Sequence, residues 1–148
     1  MNYLQGKYRP LHPDKYIGDL KNIVFRSSWE RRFMKWCDSN SSVIKWGSEI
    51  YPIQYVSRAD GRIHRYFIDF FVRLKTKDGE EKNLAIEIKP KAQTVKPVKG
   101  RKRDKTYLNE CMTWMKNQDK WTAARAWAKK NGFEFLIMTE EELGIKTK

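Results

Sequence analysis

Arg65-Tyr66-Phe67-Ile68-Asp69-Phe70-Phe71-Val72-Arg73-Leu74, then Lys77-Asp78-Gly79-Glu80, then Asn83-Leu84-Ala85-Ile86-Glu87-Ile88-Lys89 is an aromatic and β-branched run, a turn signal and a returning apolar run that Pro90 stops. Such a pattern reads as a β-hairpin. A tight turn near Asp78-Gly79 sets Asp69 across from Glu87 or Ile88. Side chains alternate along a strand, so Glu87 and Lys89 share a face. With Asp69 in register on that face, two carboxylates and an ammonium converge. Ile68, Phe70, Val72, Leu84, Ile86 and Ile88 are then expected to pack the other face. Opposed like charges destabilise a strand pair, and a cation between them removes the penalty. Hard divalent ions such as Mg²⁺ take carboxylate and carbonyl oxygens and keep several waters. Such an ion activates water and neutralises charge on a phosphoryl oxygen, and Lys89 is placed either to orient or help deprotonate that water or to stabilise the transition state. The competing reading makes Asp69 and Glu87 ordinary solvent-side residues. Phe67 and Phe71 on the face of Asp69 argue for partial burial, where a carboxylate needs a partner.

Upstream of the hairpin, Ser27-Ser28-Trp29-Glu30 fits a capping box that opens a helix. Trp29, Phe33 and Trp36 form its apolar stripe, and Ser39 to Ser42 end it. Glu30 has two readings, the reciprocal cap or a third acid delivered to the sheet's active edge. Short strands are expected over Val43–Trp46 and Ile50–Val56, with a turn at Ala59-Asp60-Gly61. Tyr107 to Met115 and Trp121 to Ala128 carry helical periodicity, with a break expected at Asn117-Gln118-Asp119. Gly132 closes the second helix. Phe133–Met138 reads as a last strand and Thr139 to Glu142 as another capping box. Residues 1–24, with Pro10 and Pro13, read as an irregular N-terminal arm. The order of elements gives a single domain over 1–148 of the α/β class, with a mixed sheet flanked by helices.

The 148 residues carry 31 Lys+Arg against 18 Asp+Glu, a formal net charge of +13. With a 14% aromatic fraction the chain can still build a core, unlike a disordered basic tail. A small basic domain points to a polyanion, with nucleic acid first. Residues 90–105 form a basic loop, broken by Pro90, Pro97 and Gly100. Lys91, Lys96, Lys99, Arg101, Lys102, Arg103 and Lys105 in it are the candidate nucleic-acid contacts. Cys37 and Cys111, with His12 and His64, give neither a disulfide framework nor zinc-ligand spacing. His64 reads as a surface or phosphate-facing residue. No apolar run approaches a membrane span, and the first residues lack the apolar stretch of a signal peptide, so a reducing cytoplasm is expected. No Walker-A loop or GxGxxG motif is present.

Asp69 followed by Glu87-Ile88-Lys89 resembles the PD-(D/E)xK nuclease signature, and Glu30 matches that superfamily's helical acid. FRSSWERRFMKWCD (25–38), RYFIDFFV (65–72), IEIKPK (86–91), YLNE (107–110) and DKWTAARAWA (119–128) together resemble the head completion nucleases of T-even-type phages. The resemblance runs from about Lys7 to Gly144, and that family is similar in turn to the catalytic domain of the TnsA transposon endonuclease. It implies a restriction-endonuclease-like αβββαβ core and Mg²⁺-dependent DNA cleavage, with Mn²⁺ able to substitute. Carried onto this sequence, it makes Asp69, Glu87 and the Ile88 carbonyl metal ligands, Lys89 the catalytic lysine and Glu30 the helical acid. Ile68 stands where the family's proline usually precedes the first Asp. The implied partners are double-stranded or branched DNA and phage portal or head proteins. The implied place is the host cytoplasm during assembly, with incorporation in the virion open. The implied task is to trim DNA left at the portal after packaging. Competing expectations are a non-catalytic head-completion protein that binds portal and DNA, and a transposon-end or junction-resolving nuclease on the same core.

Overall fold

In the computed structural model, which describes residues 5–145, the chain opens with β1 (Gly6–Lys7), later paired with β2 (Val24–Phe25). The expected arm over 1–24 is therefore tied down where it is described, since Tyr8 and Ile23 are buried. Its first four residues, and 146–148 of the expected domain, lie outside the described residues. The tie is Asp38, near the end of α1 (Ser28–Ser39). Its carboxylate accepts hydrogen bonds from the Tyr8 hydroxyl at 2.7 Å and from the amides of Leu11 and His12 at 2.7 and 2.9 Å. Lys15 Nζ donates to the carbonyls of Cys37, Asp38 and Asn40 at 2.8, 3.0 and 2.8 Å, satisfying groups that a helix end leaves open.

Helix α1 starts where Ser27 caps it, its hydroxyl accepting from the Glu30 amide at 3.1 Å. The reciprocal half of the expected box is displaced, because the Glu30 carboxylate faces the Arg26 amide at 3.4 Å instead. Trp29, Phe33, Met34 and Cys37 are buried. Trp36, expected in that stripe, falls on its margin and is 42% exposed, stacked on Phe33.

Next come β3 (Val43–Ser48), β4 (Pro52–Val56), β5 (Ile63–Phe67), β6 (Phe70–Lys75) and β7 (Glu81–Ile88). The run 65–74, expected as one strand, is thus two, parted at Ile68-Asp69. Strand β5 turns away to pair with β4 as a separate ribbon, while β6 joins β3 and β7. At the break the Asp69 side chain takes a ladder role, accepting from the Ile88 amide at 2.8 Å, and the Asp69 carbonyl accepts from the Glu49 amide at 3.0 Å. The break also moves Ile68 off the Phe70 and Val72 face, where it was expected, into the cluster of Phe71 and Ala85.

The basic loop, expected over 90–105, is irregular through Arg103 apart from a single 3-10 turn at Lys91–Thr94, and its last two residues, Asp104 and Lys105, are instead helical. Beyond it α2 (Asp104–Asn131) runs unbroken through Asn117-Gln118-Asp119, where a break was expected. No Gly or Pro interrupts it. Asn117 is buried, and Asp119 is held by the Arg58 amide and Nε at 2.9 and 2.7 Å. Such contacts outweigh the few tenths of a kcal/mol by which these residues disfavour helix. Gly132, at φ 78°, closes α2 in the left-handed region. β8 (Glu134–Met138) and α3 (Glu140–Leu143) follow, and Thr139 and Glu142 form the expected capping box.

The main sheet has the order β3-β6-β7-β8, antiparallel except for β7 with β8. That parallel pair requires a crossover, which α2 supplies. In chain order α1, β3, β6, β7, α2 and β8 make the restriction-endonuclease-like αβββαβ core. One sheet face, with Phe70, Val72, Leu84, Ile86 and Ile88, packs on α1. The other, with Phe71 and Ala85, packs on the ribbon and on Ala124 of α2. Residues 84–88 of β7 are buried throughout, so what stands at the end of this strand is held by both layers.

Candidate active site

The hairpin register pairs Phe70 with Ile86, which sets Asp69 beside Glu87 at the end of the strand pair. Asp69 is half-buried and Glu87 is buried. Burial raises the Asp69 carboxyl well above the usual carboxylate range, and the neighbouring Glu87 charge adds to the rise. The Ile88 amide and the Lys89 charge oppose it. Glu87 is likewise raised by burial, against the pull of Lys89 and of the Trp121 indole. The geometry therefore brings together the pair and the lysine that the sequence picked out.

Glu30 joins them from the first turn of α1. Burial and the Asp69 charge push its carboxyl up to about 7. Its cap bonds are both long, at 3.4 Å, so the cap alone does not account for its position. Ile88 is placed by its amide bond to Asp69, with its side chain in the α1-side core.

The acids are short of hydrogen-bond donors. Glu87 Oε2 receives the Trp121 Nε1 hydrogen at 3.4 Å, while Glu87 Oε1 is buried without a hydrogen-bond partner. The Tyr66 hydroxyl is also buried without a partner, and its proton is held by burial and by the Glu87 and Asp69 charges. Among the described residues no group of three His, Cys, Asp or Glu side chains is gathered closely enough to hold a metal ion. What the site offers is two oxygen-bearing side chains and adjacent backbone, with an orphaned oxygen. That donor set fits a hard cation that retains much of its water and fits no thiolate or imidazole metal.

Three contributors were not found from sequence. Glu49 follows β3 at φ 51°, a left-handed conformation for a non-glycine residue, and its side chain pairs with Arg26. Its charge acts on both Asp69 and Glu30. Lys120 on α2 lies over the Tyr55 and Tyr66 rings at 5.9 and 5.7 Å and is close enough to Glu87 and Asp69 to feel both. Burial nonetheless lowers its pKa. Trp121 is the third. Only the apolar pattern of α2 marked it, and that pattern said core.

The basic loop cations differ in freedom. Lys91 pairs with Glu141, Lys99 with Asp104 and Lys102 with Glu110. Lys96, Arg101, Arg103 and Lys105 are exposed and form no ion pair among the described residues. His64, expected to be a surface residue, pairs with Asp60 and stacks on Tyr55.

A restriction-endonuclease-like core with paired acids at the end of its hairpin is the frame of a nuclease family. Residues 40–140 match the family described as TnsA-like endonuclease N terminal, more than half of the chain, and the chain belongs to that family. It is also 43% identical over 142 residues to the head completion nuclease of Enterobacteria phage T4, an alignment that spans 93% of this chain and 92% of that one. No helix among the described residues is long and apolar enough to cross a membrane.

Proposed function

We propose that the chain is a divalent-metal-dependent DNA endonuclease that acts in phage head completion after packaging. The observation that carries the reading is the Glu87 oxygen buried without a partner beside a second carboxyl and a lysine. Family membership and the T4 relative's name support the nuclease role and its place in assembly.

Asp69 and Glu87, with the Ile88 carbonyl, would hold Mg²⁺, and Mn²⁺ would serve in its place. The bound ion would supply Lewis-acid stabilisation of phosphoryl charge and a more acidic water. Lys89 contributes a fixed positive charge where the scissile phosphate develops negative charge, which lowers the barrier only if it acts more strongly there than in the ground state. Lys120 brings a second ammonium to the same face from α2. Glu30 accepts a hydrogen bond from the attacking water, or gives back a proton when protonated. Free cations of the basic loop hold the DNA backbone. Portal or head proteins would bring the enzyme to the DNA end in the host cytoplasm, and it would stay in the virion if that docking persists.

The test is nicking of supercoiled DNA with and without Mg²⁺. Wild type should cut only with metal, Asp69→Ala and Glu87→Ala should not cut, and Lys89→Ala should cut slowly even at saturating DNA. Full activity in either carboxylate variant would remove the site, and metal-independent cutting would remove the metal.

A further inference from the structure

We infer that the groove between the basic loop and the first half of α2 binds an unpaired stretch of DNA leading to the carboxylates. The inference rests on the nuclease reading and adds the class of DNA that its site takes, a strand whose bases are free. A cavity of about 670 Å³ lies between residues 92–98 and α2 from Thr106 to Asn117. That volume is in the range of pockets that enclose a whole organic ligand.

The walls carry two kinds of chemistry. Val95, Pro97, Val98 and Trp114 are the apolar part of the lining. Trp114 Nε1 is buried there without an acceptor. Val95 and Val98 are apolar yet 57% and 74% exposed, a surface that a flat partner would cover. Gln93 and Asn109 add neutral amides that donate and accept, the complement of a base edge rather than of a phosphate.

Cations stand in and beside the lining: Lys96 forms no ion pair among the described residues, Lys102 is paired with Glu110, which also lines the groove, and Arg101 and Arg103 flank Lys102 in the chain. An apolar and aromatic surface with cations alongside is how single strands are held, bases stacked on the one and backbone along the other. A duplex presents no free base faces, so only an unpaired or extruded segment can enter. A neutral small molecule would leave the cations without a role.

Both walls of the groove adjoin, along the chain, the residues that carry or touch the acids. One wall begins within three residues of Lys89, and the other ends at Asn117, one helical turn before Trp121, whose indole reaches Glu87. A strand lying in it runs toward the pair.

The test is equilibrium binding in EDTA, so that it is independent of cleavage. Labelled oligothymidylate, an abasic oligomer of the same length and a blunt duplex are compared by fluorescence anisotropy. Oligothymidylate should bind about tenfold or more tighter than the abasic strand, the scale of base stacking on an aromatic platform. Trp114→Leu should remove that difference and leave the duplex affinity unchanged. Val95→Ser with Val98→Ser, both at exposed positions, should do the same without the risk to folding. Equal binding of abasic and base-bearing strands would overturn the inference, leaving only electrostatics. So would variants that weaken duplex and single strand alike, or that change neither, the last being the result expected if a head-protein peptide fills the groove. The nuclease reading fails separately, in the metal-dependent nicking assay.

Discussion

At the residue scale the acids conflict with one another, and this has a measurable sign. Asp69, Glu87 and Glu30 are all raised in the folded protein, chiefly by burial. The folded state therefore holds protons that the unfolded chain has released above about pH 4. Stability is full below that range and falls as pH rises through the folded values, which for Glu30 means near 7. Without metal, the melting temperature should be lower at pH 8 than at pH 5.5, and Asp69→Asn should shrink the difference. A flat or rising profile would mean that burial does not hold these carboxyls protonated. Glu30 can be separated from its capping role in the same way. Glu30→Gln keeps the reach and removes the charge, and because both cap bonds are already 3.4 Å long the stability cost should stay within about 1 kcal/mol. Nicking activity should collapse. Retained activity with a clear loss of stability would make Glu30 a cap and nothing more. Asp69, Glu87 and Lys89 were legible because the Asp78-Gly79 turn fixes the register and alternation fixes the face. Lys120 was not, because no local spacing ties it to residues more than thirty positions earlier in the chain.

At the scale of elements, legibility followed how local the deciding force was. Caps at Gly132 and Thr139, and the Ser27 half of the first box, depend on bonds within a few residues and came out as read. The parting of β5 from β6 did not, since Tyr66 to Val72 is apolar or aromatic on both sides of Asp69 and only the ribbon and the Ile88 amide reveal that the chain breaks there. The continuity of α2 was hidden too, as Asn117 and Asp119 read as breakers until their tertiary partners are known. The lead-in shows the same lesson, because its order depends on a carboxylate in another element. Burial would raise Asp38, but the bonds from Tyr8, Leu11 and His12 together outweigh it and hold its pKa low. Asp38 therefore stabilises the fold above the unfolded carboxylate pKa, and its contribution is lost as pH falls through the lower folded value. Asp38→Ala should cost about 2–3 kcal/mol by chemical denaturation, the scale of losing hydrogen bonds to a charged group. It should also open residues 5–25 to proteolysis before the core unfolds. An unchanged cleavage pattern would mean that β1 and β2 hold the lead-in without Asp38.

For the whole molecule, the question is how a net charge of +13 reaches the substrate. Charge alone predicts that every cation of the basic loop contributes, yet the fold sets Lys91, Lys99 and Lys102 against carboxylates of α3 and α2. A lysine already paired gives up a partner on binding DNA, so its net gain is small. Arg101, Arg103 and Lys105 carry no such debt among the described residues. Arg101 and Arg103 lie just before α2 and Lys105 in its first turn, on either side of the groove residue Lys102. Each phosphate they neutralise releases counterions, and log affinity then falls with log salt by about 0.9 per contact on duplex DNA. Replacing these three with Ser should weaken binding to every sequence alike and flatten the salt slope by up to about 2.7 units. Replacing Lys91, Lys99 and Lys102 should flatten it by less, which separates free cations from paired ones within one loop. The measurement is duplex affinity across a salt series without metal, so that cleavage does not intervene. If the slope is the same in both variants and in wild type, these residues face a protein and not DNA. The reading of this surface then shifts to docking on an acidic head component, with the carboxylate pair left to its own assay.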